Sequence, residues 1–238
     1  MLLALTVVLA YYVKGVCGFG NTLVFTSIAG LRTDISQLTP LDLLVGFVPN
    51  ALIAWRDRKN ACFRIWGPLA LMVLAGDIPG ALLLKYGDAH ILKIGFGVLV
   101  ILLALDMLLQ REKKPIGKVP SILLGIVAGL VCGMYGVGAL AAAYVSRATD
   151  SNESYRGSLC IVFTLDNLFR IALYFATGIL NLELAARALQ LLPMMLIGLT
   201  AGIWTVKKVS PDWIRRAVIL ALIVSGAALI INLSLIHI

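Results

Sequence analysis

The sequence predicts an all-α, polytopic membrane protein made of two inverted repeats, each a glycine-broken re-entrant helical hairpin plus three transmembrane helices. Three observations carry that expectation. Hydrophobic residues make up 61% of the chain and charged residues only 13%, a surface that water could not solvate around a soluble core. The apolar residues gather into eight runs on the scale of a bilayer span, which takes roughly 17 to 25 residues as a helix. Two glycine-dense stretches, Gly15-Val16-Cys17-Gly18-Phe19-Gly20 and Gly133-Met134-Tyr135-Gly136-Val137-Gly138, interrupt the first and fifth runs, one in each half of the chain.

The first run covers 1–31. It opens at Met1 without a basic stretch or a small-residue cleavage site ahead of polar sequence, so it reads as part of the mature chain, not as a removable signal. Glycine costs about 1 kcal/mol in a helix interior, and backbone groups opened inside hydrocarbon must find partners in protein or in a wet cavity. The glycine stretch therefore predicts a break, with a second half-helix starting at about Asn21 and Thr22. Full spans follow at 38–55, 65–84 and 91–109. The polar stretch Gln110-Arg111-Glu112-Lys113-Lys114-Pro115 reads as a connector, which sets 1–116 as the first transmembrane repeat and 117–238 as the second. The second repeat opens with the run 119–147, whose later half-helix is expected from about Ala139 and Leu140. Spans at 158–178, 184–206 and 213–236 complete it. Trp55, Trp66, Trp204 and Trp213 lie near span ends, where an aromatic belt is expected.

Duplication is visible in the spacing. Gly18 and Gly20 match Gly136 and Gly138 at a separation of 118, Gly76 and Gly80 match Gly198 and Gly202 at 122, and Asn50 matches Asn167 at 117. Loop charge then orients the repeats. If all eight runs crossed, Lys and Arg would divide nine against nine. If the two broken runs enter and return on one side, fourteen share that side and only Arg32, Lys85, Lys93 and Arg187 face the other. That asymmetry is the one expected of cytoplasmic loops. Three crossings per repeat is an odd number, so the repeats are inverted and both termini lie outside. The formal charge of +8 is thus assigned to topology, and no nucleic-acid partner is expected.

A half-helix that starts inside the membrane leaves its first amide N–H groups without intrahelical partners. Together with the positive end of the helix dipole they form an anion cradle, and inversion would bring two such ends together near the midplane. Paired broken helices are the signature of a transporter's substrate site. The candidate substrate-binding residues are Gly18, Gly20, Asn21 and Thr22 at the first break and Gly136 and Gly138 at the second, with Lys14, Asn50, Asn167 and Arg170. Lys14 and Arg170 are costly in lipid and could balance substrate charge. Their alternatives are snorkelling for Lys14 and an ion pair with Asp166, one turn earlier, for Arg170. Asn50 and Asn167 are neutral donors, or glue between helices. Asp77 is a candidate proton carrier, with Asp166 as a second, unless Asp77 caps a helix broken at Pro79. The Gly76/Gly80 and Gly198/Gly202 pairs are expected to let helices pack closely. Cys17, Cys62, Cys132 and Cys160 form no CxxC pair and have no histidine at ligand spacing, so free thiols, no metal and no cofactor are expected. No HExxH, GxSxG or paired catalytic carboxylates occur, which excludes the familiar enzyme classes.

The run Val13-Lys14-Gly15-Val16-Cys17-Gly18-Phe19-Gly20-Asn21-Thr22-Leu23-Val24 and the run Gly129-Leu130-Val131-Cys132-Gly133-Met134-Tyr135-Gly136-Val137-Gly138 resemble the two glycine motifs of the sulfite exporter TauE/SafE family. Asp166-Asn167-Leu168-Phe169-Arg170, followed by Tyr174 and Gly178, is similar to that family's sixth segment. The likeness spans almost the whole chain. It implies a multi-pass permease of the bacterial inner membrane that moves small anions such as sulfite, sulfoacetate or other sulfonates, with a small anionic substrate and the lipid bilayer as partners and a homodimer left open. Asn21 stands where Gly or Phe is usual, and Ala139 where a third Gly is common. Both departures bear on the substrate. The competing expectation is a transmembrane thiol redox carrier using Cys17 and Cys132, although Cys17 aligns with Tyr135 and not with a second cysteine.

Overall fold

The computed structural model describes residues 2–17, 20–109, 118–149 and 151–205, with Ile219 and Ile223 singly. Among them the chain forms nine α-helices and no strand: α1 (Leu2–Cys17), α2 (Asn21–Ala29), α3 (Ile35–Asp57), α4 (Phe63–Tyr86), α5 (Ala89–Leu109), α6 (Lys118–Tyr135), α7 (Ala139–Ala148), α8 (Asn152–Ala176) and α9 (Leu182–Thr205). Five segments are long and apolar enough to cross a membrane: Ile35–Asn60, Phe63–Tyr86, Ala89–Asp106, Glu153–Ala176 and Leu182–Thr205. Leu3–Val16 and Val119–Tyr135 are apolar but shorter. These are the arms that precede the two breaks. The expected last span, 213–236, lies outside the described residues apart from the two single ones.

Both breaks are present and narrow. The first falls between Cys17 and Asn21, where Gly20 has φ 90°, and the second between Tyr135 and Ala139, where Gly136 has φ 72°. Side chains with a Cβ rarely adopt that left-handed backbone. The two glycine stretches are not wholly interruption, however. Gly15 lies inside α1 and Gly133 inside α6, and their role is packing. A second correction concerns Asp77. α4 continues through Pro68 and Pro79, so no helix end exists there for Asp77 to cap. A proline forfeits one helix hydrogen bond, but dense packing of α4 on α6 and α8 keeps the rod intact.

The helices pack into two compact units. One holds α1, α2, α3 up to Asp42, α5 and α9; the other holds α3 from Leu43, then α4, α6, α7 and α8. Each unit takes helices from both halves of the sequence. In the first, α2 packs on α1 and touches α5. In the second, α4, α6, α7 and α8 share a core of Leu69, Ala70, Val73, Ala128, Ala141, Ala142, Val145, Leu159 and Val162. The small residues in it suit a membrane, where tight van der Waals packing takes over from the hydrophobic effect as the force between helices. Large apolar side chains face outward, Leu71, Leu102, Leu123 and Leu189 among them. Trp55 and Trp204 are exposed, while Trp66 packs against the core and edge-on to Phe63. Trp213 lies outside the described residues.

One helix–helix joint occurs twice. In the second unit, a side chain at Gly76 would strike the Ile126 carbonyl, and one at Gly80 would strike the Leu130 carbonyl and the Cα of Gly133. In the first unit, a side chain at Gly198 would strike the Val8 carbonyl, and one at Gly202 the Tyr12 carbonyl and the Cα of Gly15. Adding 118 to Val8, Tyr12 and Gly15 gives Ile126, Leu130 and Gly133. The packing expected of these glycines is therefore present, backbone against backbone, with α4 on α6 and α9 on α1.

Candidate functional site

Each break carries its own cluster of buried polar side chains. In the first unit, Tyr11 on α1 is fully buried and Lys14, one turn on, is 6% exposed. The Lys14 ammonium lies 5.8 Å from the centre of the Tyr11 ring. α2 begins directly after Gly20, which has no side chain to cap the first amides. Its first two residues, Asn21 and Thr22, are buried and direct their side chains at Asp42 on α3. Asn21 Nδ2 lies 3.2 Å from each carboxylate oxygen, Tyr11 OH donates to Oδ1 at 3.2 Å, and Thr22 Oγ1 makes a short hydrogen bond to Oδ2. Asp42 is itself 5% exposed, and no ion pair to it is found among the described residues.

The sequence reading passes over Asp42. The signal was present: an acidic residue inside an apolar run is a functional candidate by default, the rule that singles out Asp77 and Arg170. Gly18, at the same break, lies outside the described residues.

In the second unit, Asp77, Asp166, Asn167, Arg170 and Tyr174 are all buried. Arg170 Nε is 3.3 Å from Asp166 Oδ2, so the one-turn ion pair is formed. The guanidinium also leaves its own helix: Nη1 donates to the Cys132 carbonyl at 2.5 Å, and Nη2 lies 3.3 Å from Asn167 Oδ1. Tyr174 OH donates to the Gly133 carbonyl at 2.5 Å. Cys132 and Gly133 belong to the last turn of α6, where carbonyls run short of helix partners; the Cys132 carbonyl also accepts from Gly136 N–H at 2.7 Å, so Arg170 is its second donor. A cation set against the negative end of a helix is favourable, so Arg170 and Tyr174 act as a tertiary cap on the arm that ends at the break.

The Cys132 thiol also serves the break, donating to the Val137 carbonyl at 3.4 Å. Gly136 supplies the left-handed turn, and the Phe163 ring fills the space a side chain would need at Gly138. Gly138, the residue before α7, likewise has no side chain to cap that helix's first amides. Neither oxygen of Asp77, nor Asp166 Oδ1, receives an N–H or hydroxyl donor among the described residues; Asp77 stands close enough to Asp166 for the two carboxyls to share a proton, and within electrostatic reach of Arg170. Asn50 is 8% exposed on the part of α3 in this unit.

The family model for sulfite exporter TauE/SafE matches residues 3–229. The chain belongs to the sulfite exporter TauE/SafE family. No curated protein and no solved structure matches it. As a TauE/SafE member it is a multi-pass membrane transporter and not an enzyme. Both glycine motifs and the Asp166-to-Tyr174 segment quoted for the resemblance lie within the matched residues. In this TauE/SafE protein the third motif meets the second in space, through Arg170 and Tyr174 on the Cys132 and Gly133 carbonyls. The thiol-carrier alternative gains no support, since Cys132 is buried and engaged with backbone and the Cys17 side chain lies outside the described part.

Proposed function

We propose that the protein is a permease of the bacterial inner membrane for small oxyanions, sulfite or short sulfonates, with α1–α2 and α6–α7 re-entering the bilayer as the hairpins of two inverted repeats, 1–116 and 117–238. The carrying observation is the pair of interior helix starts, at Asn21 and Ala139, each preceded by a glycine that has no side chain to cap the first amides. Such amides favour an anion for both their hydrogen bonds and their dipole. The twice-made glycine joint supports the repeat relation.

In this reading Gly18, Gly20, Asn21, Thr22, Gly136 and Gly138 present backbone and side-chain donors to the substrate, and Lys14 supplies charge. Asn50 and Asn167 add neutral donors. Arg170 contributes by holding the α6 break open as well as through its field. Asp77 and Asp166 take up the coupling proton, because two buried carboxylates beside one guanidinium leave an excess negative charge that a proton would neutralise. The test is thermal stabilisation of the detergent-purified protein by a panel of small anions, since a ligand of the folded form raises stability with concentration. Sulfite or a short sulfonate should raise the melting temperature, and Lys14→Ala should weaken the rise. An equal response to every anion, chloride included, would sink the reading.

A further inference from the structure

The donors at the first break already converge on a carboxyl group, and it belongs to the protein. Tyr11 and Thr22 each have one hydroxyl proton to give, and the Asn21 amide has two. All of these donors are directed at the two oxygens of Asp42. A carboxylate and a sulfite or sulfonate group ask for the same thing, several donors converging on anionic oxygens, two in a plane on the first and three in a pyramid on the others. The donors cannot serve both at once. Two negative groups side by side would also repel each other.

We infer that Asp42 is a built-in substrate mimic: its carboxylate occupies the donors of Tyr11, Asn21 and Thr22 until it takes a proton from the aqueous side the substrate comes from, and the arriving anion then replaces it. The inference rests on the anion-permease reading above and adds a residue and a rule to it. Each anion bound at this break is accompanied by one proton on Asp42.

A second observation fits the exchange. Thr26, one turn along α2 from Thr22, and Thr39, one turn before Asp42 on α3, are buried, and their hydroxyl oxygens have no partner among the described residues. A neutral Asp42 carboxyl that lets go of its present donors has these hydroxyls to turn to. The other ionisable groups around Asp42 are few. α1 contributes Tyr11 and, over its ring, Lys14, and α2 contributes none. On α5, Lys93 is paired at 3.0 Å with Asp34, about two turns before Asp42.

The test compares sulfite affinity of the wild type and of Asp42→Asn, a neutral stand-in for the protonated acid, from about pH 5 to pH 8. Sulfite changes its own charge over that range, but it does so equally for both proteins, so the ratio of their dissociation constants isolates Asp42. A ligand that needs a minor state binds more weakly by the fraction of that state. The ratio of wild type to variant should therefore rise about tenfold per pH unit once Asp42 is ionised, and fall towards one in acid. A ratio that is flat with pH, or that levels off within a few-fold as simple repulsion would give, overturns the inference, as does weaker binding by the variant at every pH. If Asp42→Asn does not fold, Asp42→Ser replaces it. If neither folds, infrared difference spectra decide: sulfite added to the wild type near pH 7.5 must bring up a protonated-carboxyl band, and its absence is a refutation. Failure of sulfite to bind the folded wild type at any pH would fell the anion-permease reading itself, and the inference with it.

Discussion

Arg170 Nε lies 3.3 Å from an Asp166 oxygen one turn earlier on α8, while its Nη1 crosses to the Cys132 carbonyl at the end of α6. One side chain thus ties an acidic residue of its own helix to the open end of another. Removing it strands a buried carboxylate and takes one of two donors from the Cys132 carbonyl, and breaking a buried pair from one side costs about 3 to 5 kcal/mol. Arg170→Met should lower the melting temperature of the purified protein steeply, and adding Asp166→Leu should recover part of the loss. Arg170→Lys should rescue poorly, because an ammonium lacks the planar fork that spans both partners.

Tyr174→Phe isolates the neutral half of the same cap. It removes only the hydroxyl that donates to Gly133, leaving an unsatisfied carbonyl at a cost of about 1 to 3 kcal/mol. The melting temperature should fall by less than in Arg170→Met, and hydrogen exchange should speed up at the amides following the break in α6.

The duplicated joint makes a paired prediction. Gly80→Ala and Gly202→Ala each place a methyl group against a carbonyl and a glycine Cα of the facing helix. Each should destabilise by about 1 to 3 kcal/mol, the usual cost of overpacking, and the two losses should be alike. Gly178 offers the contrast: a Cβ there meets nothing within 4 Å, but φ is +73°. Gly178→Ala should cost only about 1 kcal/mol of backbone strain. Chemical or thermal unfolding of the three variants side by side checks the ranking.

Asp77→Asn should leave the protein as stable or more so, since it replaces a buried carboxyl that no N–H or hydroxyl serves by a neutral isostere of nearly the same size, whose amide can donate to Asp166. If Asp77 carries the coupling proton, anion flux into vesicles should stop responding to an imposed pH gradient in this variant, while binding of the anion persists. Flux that still follows the gradient would remove Asp77 from the coupling mechanism.

Where the chain breaks was legible from residues alone, because glycine inside an apolar run conflicts with helix economy and the polar pair Asn21-Thr22 marks the restart. α2 and α7 do start at Asn21 and Ala139. The extent of the breaks was not, since Gly15 and Gly133 look the same in sequence whether they open a helix or seat another one against it. Only the facing backbones of α9 and α4 distinguish the cases. Arg170 was legible as a buried charge and Asp166 as its partner, both being local. The Cys132 carbonyl was not, because a donor's reach to a carbonyl 38 positions away leaves no mark on spacing. Asp42 went unread because one carboxylate near a helix start looks like a solvated end until Asn21 and Thr22 are seen to close over it.

The glycine joint of α9 on α1 sets a schedule for synthesis. Gly133 meets Gly80 after about fifty further residues have been made, whereas Gly15 must wait for Gly202, nearly the length of the chain away. At translation rates of roughly 5 to 20 residues per second, that is a delay of about 10 to 40 s. Throughout it, α1 carries an uncovered seat, the Val8 and Tyr12 carbonyls and Gly15, that a lipid chain, the insertion machinery or a chaperone has to cover.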